Sequence, residues 1–195
     1  MSDWIKNIVD ADYLKENLTF SSLYIAVYES MTDYVESNIH DLLCDFEICN
    51  SELKYIETQQ YKDEIKNKIV DEKGNKDKLK ASFLWLLEQS AISKDEYSLF
   101  LNLKDVRNKY AHELINIICD GVNENEIILF GKMMELYKKI SNWWFVNIES
   151  SFIGDELPED LDTAYAQSGV NIMLDIVLDV LYKNKSAKYK ELLHN

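Results

Sequence analysis

At 195 residues, with 47% apolar and 29% charged side chains, the chain has the make-up of one globular domain whose core needs neither disulfides nor metal to fold. One proline and five glycines argue against an all-β architecture, which requires a tight turn about every ten residues. A formal net charge of −14 excludes a protein that coats nucleic acid by broad charge neutralisation, but leaves room for a local pocket that grips one phosphate.

Taken in chain order, residues 12–48 carry apolar side chains at helical spacing, including Leu23, Val27, Met31, Val35, Ile39 and Phe46. A short break is expected near Thr19-Phe20, with Ser21 or Ser22 capping the helix that follows. Ser51 and Glu52 suggest the start of a second, mostly polar helix running to about Asp71. Glu72-Lys73-Gly74-Asn75-Lys76 reads as a turn. A short helix is expected over 79–89. Ser93-Lys94-Asp95-Glu96 is a capping box that opens a long helix with Leu99, Leu103, Val106, Tyr110 and Ile117 on its core stripe. Asp120-Gly121 stops it, glycine standing where the first residue past a helix end belongs.

Asn123-Glu124-Asn125-Glu126 starts another helix, apolar through Trp143-Trp144-Phe145. The two tryptophans are expected in the core or a dimer interface more than stacked on bases. Residues 154–158 form a loop, and a last helix is expected from about Pro158 to Tyr182, with Asn171, Asp175, Asp179 and Lys183 as its polar stripe. Residues 183–195 read as a loose basic tail. The whole is expected to be all-α: a single domain spanning 1–195, built as an up-and-down helical bundle.

Cys44, Cys49 and Cys119 are odd in number, lack paired spacing and lie in apolar surroundings, as reduced core residues of a cytoplasmic protein do. Asp3 and Lys6 interrupt the N-terminus, which does not read as a signal peptide, and residues 170–182 are too short an apolar run to span a bilayer. A cytoplasmic protein without membrane association is expected. The acidic run Asp155, Glu156, Glu159, Asp160, Asp162 reads as a helix start, where negative charge suits the dipole. No spacing of zinc or two-metal type is present, and no glycine-rich phosphate loop, so neither metal nor cofactor is expected.

Lysine and arginine together number 21, and Arg107 is the one arginine. It stands five residues before His112, in Arg107-Asn108-Lys109-Tyr110-Ala111-His112. Arginine presents a planar fork that grips phosphate bidentately and stays charged at any relevant pH. Histidine titrates near neutrality and moves protons. On a helix, Asn108 and His112 are about 40° apart and share a face, whereas Arg107 and His112 are separated by about 140°. Arg107 must therefore reach round from the flank, with Asn108 placed to orient the imidazole or a substrate oxygen. Cleavage of RNA by its own 2′-hydroxyl needs a base for that hydroxyl, an acid for the departing 5′-oxygen and positive charge for the phosphorane between them. One histidine cannot be base and acid in the same step. His40 and His194 lie far off in sequence, so a two-fold dimer that brings two copies of Arg107 and His112 into one cleft is the arrangement the chemistry asks for.

The segment Arg107-Asn108-Lys109-Tyr110-Ala111-His112 resembles the R-x4-6-H signature of HEPN domains, small helical bundles of prokaryotic toxins and antiviral systems. The polar residue after the arginine, here Asn108, is part of that likeness, as is the place of the motif late in a long helix. The resemblance implies a HEPN-like, homodimeric, metal-independent endoribonuclease with Arg107 and His112 catalytic and Asn108 supporting. It further implies tRNA or mRNA as substrate and an antitoxin or defence-system protein as partner, in growth arrest or abortive infection. HEPN toxins paired with a nucleotidyltransferase antitoxin often carry a tyrosine two residues after the histidine; this chain has Leu114 there. The alternative expectation is a non-catalytic helical module that binds a partner protein or small ligand, toward which the −14 charge leans.

Overall fold

A computed structural model describes residues 9–49, 52–150 and 172. Within them the chain is mostly helical, with one small two-stranded sheet. It forms two compact units, one taking the chain up to Tyr28 and from Leu101 onward, the other Glu29–Phe100. The expected loop at 154–158, the last helix apart from Ile172, its acidic start and the basic tail lie outside the described residues.

Helix α1 (Ala11–Leu43) is capped by Asp10, whose Oδ1 accepts from the backbone N–H groups of Asp12 and Tyr13 at 3.0 and 3.1 Å. It runs without a break through Thr19–Ser22, contrary to the sequence expectation. Ser21 is buried, and its hydroxyl donates to the carbonyl of Asn17 one turn back, at 2.7 Å. A serine bonded in this way needs no helix start.

The larger correction is at the end of α1. The chain leaves the helix at Leu43 and forms an antiparallel hairpin, β1 (Cys44–Cys49) and β2 (Glu52–Glu57), where two helices were expected. Cys44-Asp45-Phe46-Glu47-Ile48-Cys49 alternates apolar and acidic side chains with period two, a strand signature. Phe46 also falls seven residues after Ile39, and so equally fits the stripe of a longer helix. The register pairs Phe46 with Tyr55 and Glu47 with Lys54.

After β2 only one turn of helix forms, α2 (Gln59–Tyr61), followed by a π-turn over Lys62–Lys66. Thr58 caps it, accepting from the N–H of Tyr61 at 3.1 Å. The expected turn is present: Gly74 takes the left-handed φ of +83°, and the Asp71 side chain gathers the N–H groups of Lys73 and Asn75 at 2.9 and 2.8 Å. Asp77 caps α3 (Lys78–Glu88), and Ser93 with Glu96 forms the expected reciprocal box at the start of α4 (Lys94–His112). In the Glu29–Phe100 unit Met31, Ile39, Ile65 and Leu86 are buried, as are Phe83 and Phe100, whose rings stack 3.7 Å apart and 4° from parallel.

The other unit holds the remaining elements. α4 ends at His112; the sequence expects it to reach Asp120. Glu113 leaves helical geometry at φ −120°, ψ 27°, and a short α5 (Leu114–Asp120) follows, closed by Gly121. α6 (Glu124–Trp144) begins on a capping box of Asn123 and Glu126 and ends in a π-turn over Phe145–Glu149. Its buried face, with Phe130, Met133, Tyr137 and Trp144, contributes to a core in which Phe20, Tyr24, Tyr110 and Phe130 form one aromatic cluster. Trp144 is thus core, while Trp143 is half-buried. The Asn17 side chain accepts from the N–H of Val122 at 2.9 Å and so ties the chain after Gly121 to α1.

Among the described residues no helix is long and apolar enough to cross a membrane. Cys44 is buried and Cys119 half-buried, neither in a disulfide, and burial pushes the Cys44 thiol above the usual range.

Candidate active site

The site is built on the last two turns of α4. Helical twist divides the segment 107–112 between two faces. Lys109 and Tyr110 turn inward to one group, the carboxylate of Glu126. The Lys109 ammonium donates to Oε1 at 2.6 Å and the Tyr110 phenol to Oε2 at 2.8 Å, while the N–H of Asn123 adds a third donor at 3.3 Å. Glu126 is itself buried. Three donors, one of them cationic, satisfy a carboxylate that would otherwise be expensive to remove from water. This lock holds the end of α4 to the start of α6 from inside the motif. Burial first, then the bond from its hydroxyl to Glu126, drives the Tyr110 phenol far above its ordinary pKa, so it stays a donor.

The sequence places Glu126 in the opening turn of a helix, and in the structure it completes a capping box with Asn123. Its second role depends on α4 lying across it, and no local pattern announces that.

The other polar side chains of the segment are Arg107, Asn108 and His112. Arg107 and Asn108 are half-buried. Nη1 of Arg107 donates to Oδ1 of Asn108 at 3.2 Å. Asn108 therefore braces the guanidinium and makes no hydrogen bond to His112, the partner suggested by the shared helix face. A braced fork is pre-organised, since less side-chain freedom is lost when it meets an oxyanion. His112 is exposed, as the last residue of α4, one position before the chain turns at Glu113. The segment thus presents a guanidinium and an exposed imidazole on one helix end.

Leu114 and Ile115, immediately past the turn, are exposed, Ile115 to 77%. His40, the other described histidine, sits edge-on to Tyr55 and Tyr61 at centroid distances of 4.7 and 5.3 Å in the Glu29–Phe100 unit. Its surroundings are those of a packed aromatic. Among the described residues no group of three or more histidine, cysteine or acidic side chains is gathered to hold a metal ion.

Compared with protein-family models, with characterised proteins and with solved structures, the chain finds no match, so its own residues carry the functional reading.

Proposed function

We propose that the chain is a metal-independent endoribonuclease of the HEPN kind, cutting RNA at a composite site to which two copies each bring Arg107 and His112. The observation that carries this reading is the state of the one arginine. It is half-buried and braced by Asn108 on the same helix end as an exposed histidine, while the intervening Lys109 and Tyr110 are held by a buried carboxylate. A half-buried guanidinium on the same helix end as an exposed imidazole is placed to meet an oxyanion.

The reaction follows from these groups. His112 of one copy takes the proton of the ribose 2′-hydroxyl as its oxygen bonds to phosphorus. Arg107 offsets the charge that builds on the non-bridging oxygens. The bond from phosphorus to the 5′-oxygen breaks, and the departing oxygen takes a proton from His112 of the second copy. The products are a 2′,3′-cyclic phosphate and a free 5′-hydroxyl. The exposed Leu114 and Ile115 beside His112 support a contact between copies there, since apolar side chains next to a polar site are what a two-fold interface buries. The substrate in this reading is tRNA or mRNA, and the proposed setting is the cytoplasm. A second reading, a non-catalytic module that binds a protein, is favoured by the −14 charge.

Incubation of the purified protein with total tRNA in excess EDTA separates the two. Discrete fragments ending in 2′,3′-cyclic phosphate from the wild type, absent with Arg107→Ala and His112→Ala, would establish the ribonuclease. Intact tRNA from a folded dimer would leave the binding module.

A further inference from the structure

Beyond Tyr55, which packs on His40, the hairpin carries apolar side chains that stand exposed. Phe46 is 65% exposed and Ile48 73%, and Tyr55, paired with Phe46 on the same face, is 41% exposed. A two-stranded hairpin is marginal by itself, and an edge strand that shows large apolar side chains to water is a template for pairing. Natural edges are usually blunted by lysine, proline or a bulge. β1 has none of these: its polar positions are Asp45 and Glu47, alternating with Phe46 and Ile48.

The charges select the partner. Lys54 is the one cation on the two strands and lies opposite Glu47. Glu57 is engaged by Lys66. Asp45 and Glu52 therefore have no cation within the hairpin, and Asp41, at the end of α1, adds a further exposed carboxylate. A second copy would set these carboxylates against themselves.

We propose that β1 offers its free edge, with Phe46 and Ile48, to an extended segment of a partner protein in which basic and apolar side chains alternate. A strand adding in register would lay its apolar residues beside Phe46 and Ile48 and its lysines or arginines beside Asp45 and Glu47, because both strands alternate with the same period. The backbone bonds supply affinity and the alternation supplies specificity. None of these residues belongs to the candidate active site, so the inference stands apart from the ribonuclease reading.

The test uses two short synthetic peptides, one alternating lysine with valine and one alternating glutamate with valine, titrated against the full chain by fluorescence anisotropy. The lysine peptide should bind at least about tenfold more tightly and protect the β1 amides from hydrogen exchange. Phe46→Ser with Ile48→Ser, which leaves the charge unchanged, should weaken it by about tenfold or more. Asp45→Lys with Glu47→Lys, the two carboxylates the added strand would meet, should reverse the preference between the peptides. Far-UV circular dichroism checks that each variant is folded. Failure of the lysine peptide to bind, equal binding of both peptides, or undiminished binding to the serine variant would overturn the proposal, the last by revealing mere attraction to an acidic chain. Self-association lost with the serine substitutions would overturn it too, by naming a second copy as the occupant.

Discussion

The phenol of Tyr110 donates to Oε2 of Glu126 at 2.8 Å, with both residues closed to solvent. Tyr110→Phe removes that donor and leaves the carboxylate to Lys109 and one backbone N–H. The expected cost is about 1–3 kcal/mol, the penalty for a buried acceptor short of a partner. Urea unfolding of the two proteins measures it, and identical midpoints would show that the bond contributes nothing.

Raising the pH acts on the same cluster. Burial, with the charge of Glu126, lifts the phenols of both Tyr24 and Tyr110 above their ordinary value. The folded state keeps protons that the unfolded state releases, so this contribution is full below the unfolded pKa of about 10 and is lost above it. Stability should therefore fall steeply in alkali, by up to about 1.4 kcal/mol per pH unit for each tyrosine. Urea midpoints followed into that range check the slope, and Tyr110→Phe should remove one tyrosine's share.

Gly121 closes α5 at φ +84°, ψ 167°, a region essentially reserved for glycine, and a Cβ there would meet the hydroxyl of Tyr13. Gly121→Ala should cost about 1–3 kcal/mol. The strain lies mainly in the backbone, so combining it with Tyr13→Ala should not restore stability. Full recovery in the double variant would assign the cost to the collision.

Phe83 and Phe100 are fully buried and stacked face to face. Phe83→Ala leaves a cavity against the remaining ring, and thermal or urea unfolding should report a loss of about 3–5 kcal/mol. A loss under about 1 kcal/mol would mean that the surrounding side chains collapse into the space.

Ile115→Lys tests the composite site. The residue is largely exposed, so the folded chain should change by no more than about 0.5 kcal/mol. Under the proposed reaction the variant should sediment as a monomer and lose tRNA cleavage by about 10²-fold or more. A monomer that still cleaves at the wild-type rate would remove the second copy from the mechanism.

What the sequence disclosed follows the range of each interaction. The Ser93–Glu96 box, the helix start at Asn123 and the turn at Gly74 are local, and they stand where the spacing put them. Tyr110 was legible as a packing residue because it falls on the α4 stripe. The hairpin was hidden by an ambiguity: Phe46 satisfies both a helical stripe from Ile39 and the alternation of a strand, and cross-strand pairing with Tyr55 decides between them. The turn at Glu113 carries neither glycine nor proline, and so gave no local sign. Composition singled out Arg107 and His112, but their unequal exposure and the bracing by Asn108 required the fold. Glu126 as the lock on the motif joins residues sixteen and seventeen positions apart, beyond the reach of any helical period.

Both places where the chain passes from one compact unit to the other, Tyr28 to Glu29 and Phe100 to Leu101, fall inside helices, α1 and α4. A protease searching for a linker at either place meets hydrogen-bonded backbone instead. A gene fragment cut at either boundary would end in mid-helix and strip a stretch of α1 or α4 from the half it leaves behind. The Glu29–Phe100 unit is therefore to be studied by substitution within the whole chain, with its two helical stems left intact.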